Sequence, residues 1–208
     1  KGGGFLGGSE AGAVGSKGSF ALSGAGQTVA FAQNDGLIRV MGETPSGDWA
    51  SEATFEKGSP TSGEWFYEKV VALAADGQTL AGAEAMYEPS AQKHFANVVV
   101  FRRSADGTFA AGDGNPELVL TFDDGTRVQD LAISGDGTVV AARVGHHAFV
   151  AAWDGEAWRQ RGSGLSYGGL DARMDLSSDG TVLVRGHQPD ARAAAYAWIE
   201  GSQGPFEG

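Results

Sequence analysis

The stretch "ISGDGTVVAARVGHHAFVAAWDGEAW", residues 133–158, has a near-copy in "LSSDGTVLVRGHQPDARAAAYAWIEGSQGPF", residues 176–206. The opening Ser-x-Asp-Gly-Thr, the apolar residues after it and the Gly/Trp punctuation are kept, while the middle drifts towards histidine. The opening phrase occurs four times in all: "FALSGAGQTVAFA" from Phe20, "VALAADGQTLAGA" from Val71, "LAISGDGTVVAAR" from Leu131 and "MDLSSDGTVLVR" from Met174. The turn glycines of the four copies are Gly26, Gly77, Gly137 and Gly180, spaced 43 to 60 residues apart.

Each copy places apolar residues two apart before its turn: Phe20/Leu22, Val71/Leu73, Leu131/Ile133 and Met174/Leu176. Period two is the signature of a strand. The Asp-Gly or Ala-Gly pair predicts a tight hairpin, because positive φ costs least at Gly and is tolerated by Asp. A second strand follows ("TVAFA", "TLAGA", "VVAAR", "VLVR"), then a variable gap and a third ("LIRVM", "NVVVF", "FVAAW", "AAYAW"). A further small-residue turn leads to Trp49, Phe109, Trp158 and Phe206, which open the expected fourth strands. No useful length of helical periodicity interrupts this pattern.

Four-stranded antiparallel units at this spacing predict an all-β fold, a β-propeller whose blades stack face to face. Stacking buries both faces of a blade, which explains strands that are almost continuously apolar and rich in Ala and Gly. We therefore expect one propeller domain over residues 1–208, with repeats over 18–57, 69–113, 129–163 and 172–208. Two closures are open. Residues 1–8 can complete the last blade and close a four-bladed ring, the preferred reading because the two ends are complementary, or four repeats belong to a larger ring. The pattern resembles the propeller repeats of the FG-GAP-like and WD40/kelch-like superfamily. The calcium loop D-x-D-x-D-G of integrin-type FG-GAP blades is missing, since Asp123-Asp124-Gly125 offers two adjacent carboxylates and no alternating third. The resemblance therefore implies no calcium.

Composition narrows the function. The 208 residues are 41% hydrophobic, enough for one sizeable core, and the 34 glycines suit many turns without the three-residue period of collagen. A net charge of −11 repels nucleic-acid backbones and anionic membranes, so neither is an expected partner. No run approaches a membrane span. Cysteine is absent, which excludes disulfides, thiolate metal sites and a cysteine nucleophile. The compartment stays open on this basis, with an extracellular or secreted setting favoured. The chain opens at Lys1 without methionine and reads as a processed or trimmed piece.

Both sets of tight turns fall at one end of the blades. The remaining connections, 51–69, 83–96, 110–127, 161–173 and 186–192, emerge at the other end and are long and varied, which is where binding residues collect. All four histidines lie in or beside them: His94, His146, His147 and His187. "RVGHH" (143–147) and "RGH" (185–187) suggest corresponding rim positions for His146 and His187. Clustered imidazoles can bind a metal or serve as a general base, but no H-x-x-x-H pair accompanies them, so no metal or cofactor is expected. Trp65, Phe66 and Tyr67 break the repeat and read either as a hydrophobic plug between two blades or as a contact surface for a glycan or protein. Asp76, Asp106, Asp136, Asp154 and Asp179 read as turn formers, whereas Asp123, Asp124 and Asp130 lie off the repeat and suit a polar site. Trp49, Trp153, Trp158 and Trp198 read as core packing. No G-x-S-x-G elbow and no phosphate-cradling loop is present. The expected site residues are thus Trp65, Tyr67, His94, Asp123, Asp124, His146, His147 and His187. They point to a non-catalytic protein-binding module on the long-connection face, with a lectin-like glycan binder or a hydrolase with rim His and Asp residues as alternatives.

Overall fold

Each of the four repeats folds into its own up-and-down antiparallel sheet. A computed structural model describes residues 20–33, 35–56, 65–88, 93–109, 116–122, 127–166, 173–187 and 192–197. The first sheet holds β1 (Phe20–Leu22), β2 (Thr28–Ala32), β3 (Ile38–Glu43) and β4 (Trp49–Phe55). The second holds β5 (Trp65–Leu73), β6 (Thr79–Glu88), β7 (Lys93–Arg102) and β8 (Glu117–Phe122). The third holds β9 (Val128–Ile133), β10 (Val139–Val144), β11 (His147–Trp153) and β12 (Trp158–Ser166). The fourth holds β13 (Arg173–Leu176), β14 (Val182–His187) and β15 (Arg192–Ala197). No helix occurs among the described residues.

The turn glycines occupy equivalent bends. Gly26, Gly77, Gly137 and Gly180 have φ of 72, 70, 70 and 65°. In every copy the glycine N–H donates to the carbonyl three residues back, as from Gly26 to Ser23 (2.9 Å) and from Gly180 to Ser177 (2.9 Å). The tight hairpin is built as a four-residue loop. Ser23 N–H reaches the Thr28 carbonyl, leaving four residues outside the ladder, and only the glycine needs left-handed φ. A relay of backbone bonds then joins consecutive turns: Gly24 N–H to Ala75 O (2.8 Å), Asp76 N–H to Gly135 O (3.4 Å) and Asp136 N–H to Ser178 O (3.2 Å).

Strand alternation sorts side chains into inter-sheet cores. Between the first and second sheets, Ala30, Ala32, Ile38, Val40 and Phe55 meet Val71, Leu80, Val99 and Phe101. Phe55 stacks on Phe101 at 4.0 Å between ring centres, and Phe109 meets Phe55 edge-on at 6.2 Å. Between the second and third sheets, Ala81, Ala83, Val98 and Phe122 pack on Leu131, Ile133 and Val140. Between the third and fourth, Ala141 and Val150 receive Met174 and Leu183. The first strands also pack in sequence, β1 on β5, β5 on β9 and β9 on β13, so they lie nearest the common axis.

Three expectations need correction. Strands run on into segments read as loops: β6 and β7 stay paired out to Glu88↔Lys93, and β12 reaches Ser166. Both partners lengthen in register, so each added pair satisfies the other's backbone. The fourth strand of the second sheet begins at Glu117 rather than Phe109. Phe109 instead forms an isolated bridge with Arg103 and buries its ring. Trp49, Trp153 and Trp158 are half-buried rather than fully buried, and of these Trp158 packs against the core between the second and third sheets. Trp153 and Trp158 face each other across the β11–β12 turn, with the Arg102 guanidinium 4.9 and 5.5 Å from their ring centres. Trp198 and the proposed closing segment, residues 1–8, lie outside the described residues.

Candidate functional site

The axial strands carry buried charge at the end opposite the tight turns. Glu68 sits on β5 where its register with β6 shifts between Tyr67 and Val71, a bulge that breaks the alternation and re-aims side chains. It is buried, and Arg127, just before β9 of the next sheet, brings its Nε within 3.5 Å. One sheet further on the arrangement recurs. Asp130 on β9 is buried, accepts the Met174 N–H (2.9 Å) and faces Arg173 Nη1 of β13 at 3.5 Å. Arg143 lies opposite Asp130 in the β9–β10 ladder and donates through Nη1 to Gln129 (2.7 Å).

Burial pushes both carboxyls above the ordinary carboxylate range. For Glu68 the neighbouring Arg127 and Lys69 oppose that shift without cancelling it. For Asp130 the Met174 N–H bond and the charges of Arg173 and Arg143 do the same. The cations are far less buried: side-chain exposure is 49% for Arg127 and 85% for Arg173, against 9% and 13% for their acids. Two sunken carboxylates from consecutive sheets thus hold two guanidiniums that reach solvent. A guanidinium presents a planar fork of donors suited to a carboxylate or phosphate.

The expected site residues do not assemble there. Tyr67 is a core residue of β5, not a loop contact: it is 2% exposed and its ring meets Phe101 edge-on at 5.9 Å. The "WFY" stretch is therefore strand, and for Tyr67 the plug reading describes its packing. His146 occupies the two-residue turn between β10 and β11, and His147 opens β11; both are exposed, with the His147 ring 6.1 Å from Phe149. The counterpart of His187 is Val144 and not His146, because counting from the equivalent Ser177 and Ser134 turns aligns β14 with β10 two residues out of step with the "GH" match. Asp123 and Asp124 lie outside the described residues, as do the side chains of Trp65, His94 and His187. Among the described residues, no three His, Asp or Glu side chains stand together as metal ligands.

The opposite end offers a polar cleft of about 270 Å³ between the first two sheets, lined by Glu43, Asp76, Gln78 and Arg103 among others. Arg103 is fixed there. Its Nε–H donates to Gly77 O (2.9 Å), Nη1 to Gly107 O (2.6 Å) and Nη2 to the Glu52 carboxylate (2.6 Å), with the guanidinium 4.4 Å above the Phe109 ring. Every contact is internal, so the residue acts as a strut between turns. Sequence reading missed Arg103, Arg127 and Arg173 because the acid each one pairs with, Glu52, Glu68 and Asp130, belongs to the preceding sheet. Asp130 was visible as a carboxylate off the repeat.

No protein-family model matches the chain, and no curated protein matches it in sequence. Solved structures share its architecture. The periplasmic gluconolactonase of Pseudomonas aeruginosa aligns with a TM-score of 0.56 at 17% identity, over 91% of this chain and 55% of that one. A functionally unknown protein from Desulfotomaculum acetoxidans aligns at 0.46 and 13% identity, over 90% and 67%. The β-propeller domain of Myceliophteria thermophila Cps50 aligns at 0.49 and 12% identity, over 88% and 53%. The chain spans about half the length of the gluconolactonase it resembles. Identities this low speak of fold alone, and the fold is that of propeller blades, four antiparallel up-and-down sheets packed face to face in chain order.

Proposed function

We propose that the protein is a non-catalytic binding module that receives a protein partner at the axial end opposite its tight turns, through Arg127 and Arg173. The observation that carries this reading is the repeated pair: a buried acid on one sheet anchors an exposed guanidinium on the next. Arginines held by a buried acid lose less freedom on binding than unanchored ones, and they favour a partner segment that offers carboxylates. The molecule's own charge of −11 disfavours such a segment elsewhere on the surface, so recognition would be local to this mouth. The test is fluorescence anisotropy with labelled Glu/Asp-rich and Lys-rich peptides. Acidic peptides should bind in a salt-sensitive manner and lose at least about tenfold in affinity with Arg127→Glu/Arg173→Glu. Equal binding of both peptide classes, or no effect of the double variant, would refute the reading.

A second reading, a hydrolase, rests on Glu68 and Asp130, two buried carboxyls whose raised proton affinity suits a general acid. The gluconolactonase neighbour makes sugar lactones the first substrates to try. Turnover that disappears in Glu68→Gln or Asp130→Asn would favour it. An inactive wild-type protein across lactones and simple esters would count against it.

A further inference from the structure

Glu68 and Asp130 are buried alike but satisfied differently. Asp130 accepts the Met174 N–H at 2.9 Å. The Glu68 side chain is 9% exposed, and its Oε1 is sealed from water with no hydrogen-bond partner among the described residues. Arg127 Nε stands 3.5 Å from that oxygen, longer than a hydrogen bond of ordinary strength. An ionised oxygen stripped of water and given no donor in return favours its neutral form. Burial accordingly raises the affinity of Glu68 for a proton, against the opposing charges of Arg127 and Lys69.

Few other charges face Glu68. Of the strands packed on β5, β1 and β2 carry none. On β6, Glu84 pairs across from Tyr67 and shares its face, towards the first sheet. Tyr87 and Glu88 lie beyond the last β5–β6 pair, Trp65↔Met86. On β9, Asp130 is turned towards the fourth sheet, where it meets Met174 and Arg173. Lys69, next to Glu68 on β5, is exposed. Asp123 and Asp124, in the connection that leads to Arg127, lie outside the described residues.

Resting on the reading of Arg127 as a contact for an acidic segment, we propose that the segment binds together with a proton: as a partner carboxylate engages the guanidinium, the Glu68 carboxyl takes up a proton from water. The two carboxylates compete for one positive charge, and the buried one has the poorer claim. Neutral Glu68 still turns a carbonyl oxygen to Arg127, so the arginine keeps its place while the pair passes from no net charge to one positive charge. Linkage is reciprocal: a segment that makes Glu68 easier to protonate is itself held more tightly where Glu68 is protonated. Affinity therefore rises as pH falls, until the partner's own carboxylates begin to lose charge at about pH 4.

Calorimetric titration of the 208-residue chain with a Glu/Asp-rich peptide tests this. Titrations at one pH in buffers of different ionisation heat count the protons exchanged. His146 and His147, exposed at the same end, gain charge in mild acid, so His146→Gln/His147→Gln is the parent for every comparison. The parent should take up protons on binding, and its affinity should rise at least about fivefold from about pH 8 to about pH 5.5. Glu68→Gln, which copies the neutral acid, should bind at least about fivefold tighter than the parent at about pH 8 and take up fewer protons. Arg127→Gln, a change at a half-exposed side chain, should bind more weakly and also take up fewer protons. Binding without uptake, or uptake undiminished in both variants, overturns this inference and leaves the binding reading standing. A peptide that binds at neither pH removes that reading, and this inference with it.

Discussion

Asp179, in a tight turn, and Asp130, at the opposite end of the blades, carry the same side chain into opposite circumstances. Asp179 is exposed and accepts hydrogen bonds from the Ser177 hydroxyl (2.6 Å), the Thr181 hydroxyl (2.8 Å) and the Thr181 N–H (3.1 Å). These donors lower its pKa from the usual 3.8 to about 2. Asp106 and Asp154 are held at about 2 in the same way, by the hydroxyls of Ser104 and Thr108 and by the N–H groups of Ala157 and Glu156. Asp130 lies buried, and loss of water outweighs its N–H and arginine partners, so its proton is held more tightly than usual. The turn end satisfies these aspartates within a few residues of sequence. The far end leaves charge to be balanced across sheets, and that balance is incomplete.

The contrast can be broken hardest at the glycines. A Cβ on Gly137 would come within 2.6 Å of the Thr79 Cβ, and closer still to its hydroxyl, at a φ of +70°. Gly26 has nearly the same φ and open space around it. Gly137→Ala should cost about 3 kcal/mol, the left-handed penalty plus overpacking, and Gly26→Ala only about 1 kcal/mol. Urea unfolding of the two variants measures the difference, and equal losses would show that the turns are not packed on one another as described. Next comes Asp130→Ala, which strands the Met174 N–H and should cost about 2 kcal/mol, while Asp130→Asn keeps an acceptor and should lose clearly less.

Smaller still is the effect of Glu68→Gln. A buried carboxyl with raised pKa holds its proton in the folded state at pH values where the unfolded chain has released it. Stability therefore falls as pH rises from the ordinary value of 4.5 through the folded one. Glu68→Gln should flatten that fall and raise the melting temperature at pH 8. The smallest change is expected from Asp179→Asn, whose depressed pKa gives the opposite sign: its contribution is present above 3.8 and is lost as pH drops towards 2. The variant should melt lower than wild type at pH 7 and converge with it near pH 2. Convergence for Asp179→Asn together with flattening for Glu68→Gln would establish the two ends as electrostatic opposites.

The blades were legible in the sequence because everything that makes them is local. A hairpin needs its glycine, its Asp or Ser and its period-two flanks within a dozen residues, and four copies of that pattern locate the turns to the residue. The charged mouth was not legible as a site. Glu68 and Arg127 are far apart in sequence and belong to different repeats, as do Asp130 and Arg173, so no spacing rule connects them. Three adjacent aromatics at residues 65–67 obscure alternation, which left the plug and contact-surface readings side by side; Tyr67 lies in the core, as a plug would. The "GH" match misled because identical letters two registers apart occupy different rungs of the ladder.

The backbone relay between turns, Gly24 to Ala75, Asp76 to Gly135 and Asp136 to Ser178, ties each repeat only to the one after it. Cooperativity in such a chain is handed on link by link and is never shared by the whole at once. Deuterium should therefore enter the amides of β13–β15 first and those of β6 and β10 last, with protection graded by the number of neighbours a sheet possesses. Loss of the final repeat would leave the other three standing, so a truncated product retaining the first three sheets should remain folded.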